Sequence, residues 1–164
     1  MPQADVAIAG GGLAGGIAAV HLARAGRQVV LFERKRTAHD KVCGAFLSDI
    51  GASELERIGL PLTRGRGYPL RSLLTFGGKP QNPIGLPFSA WSISRHELDE
   101  EILELAAKAG AEVRRGDRVT EAAPNEIALS SGERLSADRV ISAIGKLDFP
   151  RSARTGSHRL MGLK

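Results

Sequence analysis

Four residues near the N-terminus, Gly10, Gly12, Gly15 and Glu33, have the types and spacing that grip a nucleotide. They stand in the run Gly10-Gly11-Gly12-Leu13-Ala14-Gly15, a G-x-G-x-x-G turn, with the acid 18 residues beyond Gly15. A pyrophosphate at a helix N-terminus must approach main-chain N–H groups closely, and side chains block that approach. Gly10 permits the tight turn, Gly12 leaves room for the phosphate, and Gly15 lets the helix lie near the preceding strand. A carboxylate at Glu33 is then placed to accept hydrogen bonds from both hydroxyls of an adenosine ribose. In a chain with 20 glycines such a turn can also serve plain packing. Flanked by strand, helix, strand and acid it becomes a dinucleotide signature. These residues do not choose between NAD and FAD, which share the adenosine diphosphate half.

The neighbouring sequence supplies the elements that must hold those residues. Asp5-Val-Ala-Ile-Ala9 is a short β-type run, and a helical stretch follows to Ala25, with Leu13, Ile17 and Val20 on one face and Ala14, Ala18, Leu22 and Ala25 on another. Apolar residues on several faces predict burial between a sheet and a further layer. Gly26 closes the helix. Gln28-Val-Val-Leu-Phe32 reads as a buried parallel strand ending in Glu33, which completes a βαβ unit. Ser48 is placed to cap a helix over Asp49–Ile58, ended by Gly59 and Pro61. From Thr63 to Pro87 glycines and prolines surround one β-like run, Leu70–Phe76, so residues 63–93 read as loop and antiparallel strand in a partial substrate-side layer. Ser94-Arg95-His96-Glu97 has the form of a capping box, opening a helix that runs to Ala109 with Leu98, Ile102, Leu105 and Ala109 on one face. Glu112–Arg115, Arg118–Ala122 and Ile127–Ser130, a turn at Ser131-Gly-Glu133, and Arg139–Ile144 complete the predicted strands.

At 164 residues the chain has the size of one domain. With 42% hydrophobic and 25% charged residues it is neither a disordered tail nor a coiled coil. Only 4% are aromatic, so the core must be Ala, Leu, Val and Ile around close-packed backbone. Of the net charge of +5, +4 lies in residues 146–164, where five basic residues face Asp148 alone. That segment reads as a solvated, flexible basic tail, and no groove-reading motif accompanies it, which argues against nucleic acid. No apolar stretch reaches the roughly 20 residues of a membrane span. Cys43, the single cysteine, cannot form an internal disulfide, and no cleavable leader is visible, which points to a reducing cytoplasm. The four histidines lack metal-ligand spacing, and there is no Gly-x-Ser-x-Gly elbow.

The run Asp5 to Gly15 with Val29-Val-Leu-Phe-Glu33-Arg34 resembles the N-terminus of FAD-dependent oxidoreductases of the aromatic hydroxylase and geranylgeranyl reductase superfamily. Three further segments agree in order: Lys41-Val-Cys43-Gly44 with Phe46-Leu-Ser48, Ser94-Arg95 with Leu98-Asp99, and Ala137 to Gly145-Lys146. The resemblance implies a Rossmann-like α/β fold, a parallel sheet whose crossover is a β-meander, here Arg118–Leu135. It implies FAD as cofactor, NAD(P)H as a candidate electron donor and a small-molecule substrate. It places Lys41, Cys43, Gly44 and Arg95 toward the flavin, the Val119 backbone at the adenine, and Gly10, Gly12, Leu13, Ala14, Gly15, Glu33, Arg34 and Gly145 around the dinucleotide. Two departures stand out. Ala45 replaces the glutamate of the reductase-type Lys-x-Cys-Gly-Glu motif that Lys41-Val-Cys43-Gly44 resembles, and Ala143-Ile-Gly145-Lys146 replaces the hydroxylases' Ala-Asp-Gly. The family's later Gly-Asp motif has no counterpart, so the resemblance implies a truncated, N-terminal part, not competent alone and prone to self-association through an uncovered sheet. Two other readings remain: a non-catalytic nucleotide-binding remnant, and an NAD(P)-dependent enzyme in which Arg34, Lys35 and Arg36 receive a 2′-phosphate.

Overall fold

A computed structural model describes residues 3–41, 45–63, 66–75 and 82–145. Cys43, Gly44 and the basic 146–164 segment lie outside them. The chain forms two compact units, one from residues up to 40 together with those from 96 onward, the other from Lys41 to Arg95.

The first unit begins with β1 (Ala4–Ala9), α1 (Leu13–Arg24) and β2 (Val29–Glu33). The second holds β3 (Phe46–Ser48), α2 (Asp49–Ile58), β4 (Tyr68–Leu73) and β5 (Ile84–Ser92). The chain then continues with α3 (Arg95–Lys108), β6 (Glu112–Arg115), β7 (Val119–Ala123), β8 (Glu126–Leu129) and β9 (Arg134–Ser142). The main sheet has the order β6-β2-β1-β9-β8-β7. β1 pairs in parallel with β2 on one side and β9 on the other, β2 pairs in parallel with β6, and the meander β7-β8-β9 is antiparallel. The expected parallel sheet with a meander crossover is thus present.

One face of the sheet is closed by the meander. Ala7, Ala9, Val30 and Phe32 share a cluster with Ile127, Leu129 and Leu135. β9 makes this possible by changing partner along its length: Arg134–Ser136 pair with β8, and Ala137–Ser142 pair with β1. Arg114 of β6 pins the meander's turn. Its guanidinium donates to both carboxylate oxygens of Glu133 at 2.7 Å, bonds Asp117 at 2.8 Å, and lies 5.1 Å from the centre of the Phe32 ring. Arg115 pairs with Glu100 of α3.

The opposite alternation of β1 and β2 carries Val6, Ile8, Val29 and Leu31, all buried. In α1 the buried residues are Gly15, Gly16, Ala19 and Val20. A methyl on Gly16 would collide with Ile102 of α3, so the two helices meet backbone to side chain. The expectation of a helix buried on several faces is corrected here: Ala14 and Ala25 are exposed and Leu13, Ile17, Ala18 and Leu22 only half-buried, because one glycine-lined side makes the close contacts. Gly26 adopts a left-handed φ of +77° after the helix, as expected.

In the second unit, two strands are additions to the sequence reading. β3 and β5 join β4 in a sheet of order β3-β5-β4. Gly85 and Pro87 argue against a strand, yet β3 pairs only with Ala90–Ser92. The Ile84–Ser89 half of β5 therefore has an open side, where a proline costs no ladder bond. Ser48 stands at the N-cap of α2, but its hydroxyl makes no cap bond. Gly59 ends α2 with a φ of +93°.

Two outcomes follow for stability. Ile127 is fully buried between meander and sheet, so Ile127→Ala should cost about 2–5 kcal/mol, read as a lower urea midpoint with an unchanged slope. The hydrogen bonds from Arg114 hold the Glu133 carboxyl below the ordinary glutamate value of 4.5. A folded-state value below the unfolded one stabilises fully above that ordinary value and is lost as pH falls through the lowered one. Glu133→Gln should therefore be less stable than wild type at neutral pH, with the gap closing on acidification through this range in denaturant titrations.

Candidate cofactor-binding site

The glycine turn lies at the C-terminal ends of the neighbouring parallel strands β2, β1 and β9. Its anchoring is main chain. The Gly10 N–H donates to the Phe32 carbonyl at 2.8 Å, and the Ala143 N–H donates to the Ala9 carbonyl at 2.8 Å. Gly10 has a φ of +108°, and a Cβ there would come within 2.5 Å of the Ala143 carbonyl oxygen. At Gly15 a Cβ would collide with the Gly10 carbonyl and crowd the Ala143 methyl. Conformation and space thus both demand these two glycines.

Gly12 is different. As N-cap of α1 it has φ −83° and ψ −170°, extended backbone that any residue adopts. Its carbonyl accepts the first helical bond, from the Gly16 N–H at 2.8 Å. Among the described residues the N–H groups of Gly12, Leu13, Ala14 and Gly15 have no acceptor, and the first turn carries no acidic side chain. A helix start with free N–H groups carries partial positive charge and suits an anion. Leu13 is half-buried and Ala14 exposed. The donor set and the missing side chain at Gly12 fit a pyrophosphate.

Glu33 ends β2 beside this turn and is 6% exposed. One carboxylate oxygen accepts from the Gly11 N–H at 3.0 Å and the other from the Lys35 N–H at 2.9 Å. The carboxylate is thereby fixed in orientation, and each oxygen keeps a further lone pair. Gly11, which the motif leaves unspecified, is what makes this possible: a Cβ there would lie 2.9 Å from the Glu33 Cβ and 3.1 Å from both Glu33 Oε2 and Leu103 Cδ2. The only sequence sign of it is that Gly11 stands in the middle of three consecutive glycines. Ala143, whose carbonyl closes over Gly10, carried no sign beyond its small size.

The structure thus gathers Gly10, Gly12, Gly15 and Glu33 at one place. Gly145 follows two residues after Ala143 with a φ of +73°. Arg34 is exposed. Val119 opens β7 with its side chain packed on the meander cluster. Lys41 and Arg95 fall in the other unit, both half-buried. Ala45, at the place of the motif's glutamate, has a φ of +53°, the left-handed region that is uncommon outside glycine.

Comparison with known proteins gives a consistent picture. The menaquinone reductase of Mycolicibacterium smegmatis is 36% identical over 125 residues, covering 73% of this chain and 30% of that protein. The menaquinone reductase of Mycobacterium tuberculosis is 34% identical over 117 residues, covering 66% and 28%. The chain therefore spans under a third of these relatives' length. Among solved structures, 2-methyl-3-hydroxypyridine-5-carboxylic acid oxygenase superposes with a TM-score of 0.74 at 25% identity over 85% of this chain and 39% of that one. A geranylgeranyl bacteriochlorophyll reductase-like protein of Thermoplasma acidophilum gives 0.68 at 25% identity over 87% and 39%. A family model described as an FAD binding domain matches residues 3–138. Because that match runs from the start of β1 through the meander and into β9, where the sheet is completed, the chain belongs to the FAD binding domain family.

Proposed function

We propose that the Gly10–Gly15 turn and Glu33 hold the adenosine diphosphate end of FAD in a flavin-dependent oxidoreductase of reductase type. The observation that carries this reading is Gly12: its backbone does not need glycine, and a side chain there would obstruct the free N–H groups of the first helical turn. In this reading the N–H groups of Gly12, Leu13, Ala14 and Gly15 receive the pyrophosphate, and the outer lone pairs of Glu33 receive the ribose hydroxyls. Lys41, Cys43, Gly44, Arg95, Val119 and Gly145 are the remaining candidates for contact with the cofactor, and Arg34 stays a solvent-side neighbour of the ribose. Bound FAD supplies the redox chemistry, and the chain contributes binding and orientation.

Reductase is preferred to monooxygenase because the relatives at 34–36% identity are menaquinone reductases, whereas the oxygenase likeness is 25% identical. The substrate would then be a small apolar quinone-type molecule and the electron donor NAD(P)H. The Ala143-Ile-Gly145-Lys146 sequence, which departs from the hydroxylases' Ala-Asp-Gly, points the same way.

Two substitutions test the assignment, and the first separates binding from folding. Gly12→Val places a branched side chain at the helix start in a backbone conformation valine accepts, so the melting temperature should hold while FAD affinity falls by roughly tenfold to a hundredfold, the scale of one to two charge-assisted hydrogen bonds. Titration of flavin fluorescence measures it, and an unchanged dissociation constant would overturn the phosphate assignment. Glu33→Gln removes one charged acceptor, so ADP and FAD should both weaken about tenfold or more. A loss for FAD with none for ADP would move Glu33 away from the ribose.

A further inference from the structure

The order of the main sheet fixes where the base of a bound dinucleotide lies, given the phosphate and ribose contacts of the function proposed above, on which this inference rests. The free N–H groups of α1 open at the end of β1, Glu33 ends β2, and β6 follows on the far side of β2. Neighbouring strands are about 4.8 Å apart, so phosphate, ribose and base step outward across three strand ends. A nucleotide ribose carries its phosphate on C5′ and its base on C1′, with the 2′ and 3′ hydroxyls along the edge between. With those hydroxyls on Glu33 and the phosphate toward β1, the base points toward the end of β6.

That end is Arg115 followed by Gly116. Arg115 is the register partner of Glu33, and the Gly116 N–H donates to the Glu33 carbonyl at 2.8 Å. Arg36, three residues beyond Glu33, lies across this glycine: a Cβ on Gly116 would come within 2.9 Å of Arg36 Cγ, 3.0 Å of its Nε and 3.5 Å of its Cδ. The stem thus runs along the backbone rather than away from it. Arg114 and Arg115 of β6 both have carboxylate partners, Glu133 with Asp117 for the one and Glu100 for the other. Arg36 is exposed and makes no hydrogen bond or ion pair among the described residues. Such a guanidinium is a planar, weakly hydrated cation that stacks on aromatic faces. A 2′-phosphate suits the place less well, because it would stand beside the Glu33 carboxylate, which the Gly11 and Lys35 N–H groups hold in position. We propose that the Arg36 guanidinium, laid across Gly116, is the surface on which the adenine of the dinucleotide stacks, so that this residue selects for a base where the glycine turn and Glu33 read only phosphate and sugar.

The test is calorimetric titration of the full 164-residue chain with ADP and with ribose 5-diphosphate, which keeps the sugar and both phosphates but has no base. Wild type should bind ADP more tightly. Arg36→Ala should weaken ADP about threefold to tenfold, the scale of a cation–π contact at a partly exposed site, and leave ribose 5-diphosphate unchanged. Circular dichroism should match wild type, since the side chain is exposed. Gly12→Val should weaken both probes. An equal loss of both probes in Arg36→Ala would overturn the proposal by assigning the arginine to phosphate. Tighter binding of adenosine 2′,5′-diphosphate than of ADP, lost in Arg36→Ala, would overturn it in favour of a 2′-phosphate. Unchanged ADP binding in Arg36→Ala, with both probes weakened in Gly12→Val, would overturn the stacking role alone. Unchanged binding of both probes in Gly12→Val would overturn the phosphate reading and this inference with it.

Discussion

The close approach of Gly15 to the carbonyl of Gly10 is the constraint from which the first unit's geometry follows. With no Cβ in the way, α1 starts directly over the end of β1, and its free N–H groups open at the C-terminal end of the parallel strands. Gly10 in turn leaves room for the Ala143 carbonyl, so the end of β9 packs against the same turn. A methyl at either position would push helix, strand and crossover apart together. The anion-suited helix start and the closed sheet are therefore consequences of one packing contact.

The rest of that unit compensates for a chain with few aromatic residues. Ala7 and Ala9 in β1 keep the sheet face low, and the meander's Ile127, Leu129 and Leu135 fill the space above it. Phe32 is the large residue on that face, and its ring lies near the guanidinium that pins Glu133. Burial supplies the layer contact, and the charge-assisted bonds fix where the meander's turn sits.

Much of this was legible from local pattern. The βαβ unit, α2 and the meander each announce themselves within a few residues, through apolar periods bounded by Gly26, Gly59 and the Ser131-Gly132 turn. β3 and β5 were not, because Gly85 and Pro87 signal a loop unless it is known that β3 stops short of them. At the site, the motif identified the residue types but not their bonds. Glu33 reads as a ligand acceptor, whereas the structure shows it already holding the Gly11 and Lys35 N–H groups. The Arg114–Glu133 pair joins residues 19 apart across two layers, and no local pattern of charge distinguishes it from other surface arginines and glutamates.

The shared strand β9 has a further meaning for how the domain opens. Its first three residues belong to the antiparallel meander and its last six to the parallel sheet, with no break between Ser136 and Ala137. Peeling the meander away would strip apolar cover from β1 and β2 while tugging on the strand that borders β1. Cooperative units in proteins are contiguous pieces whose parts lose cover together. β1, β2, β8 and β9 therefore form one such unit, and the crossover, although it looks like an appendage of the sheet, has no opening step of its own.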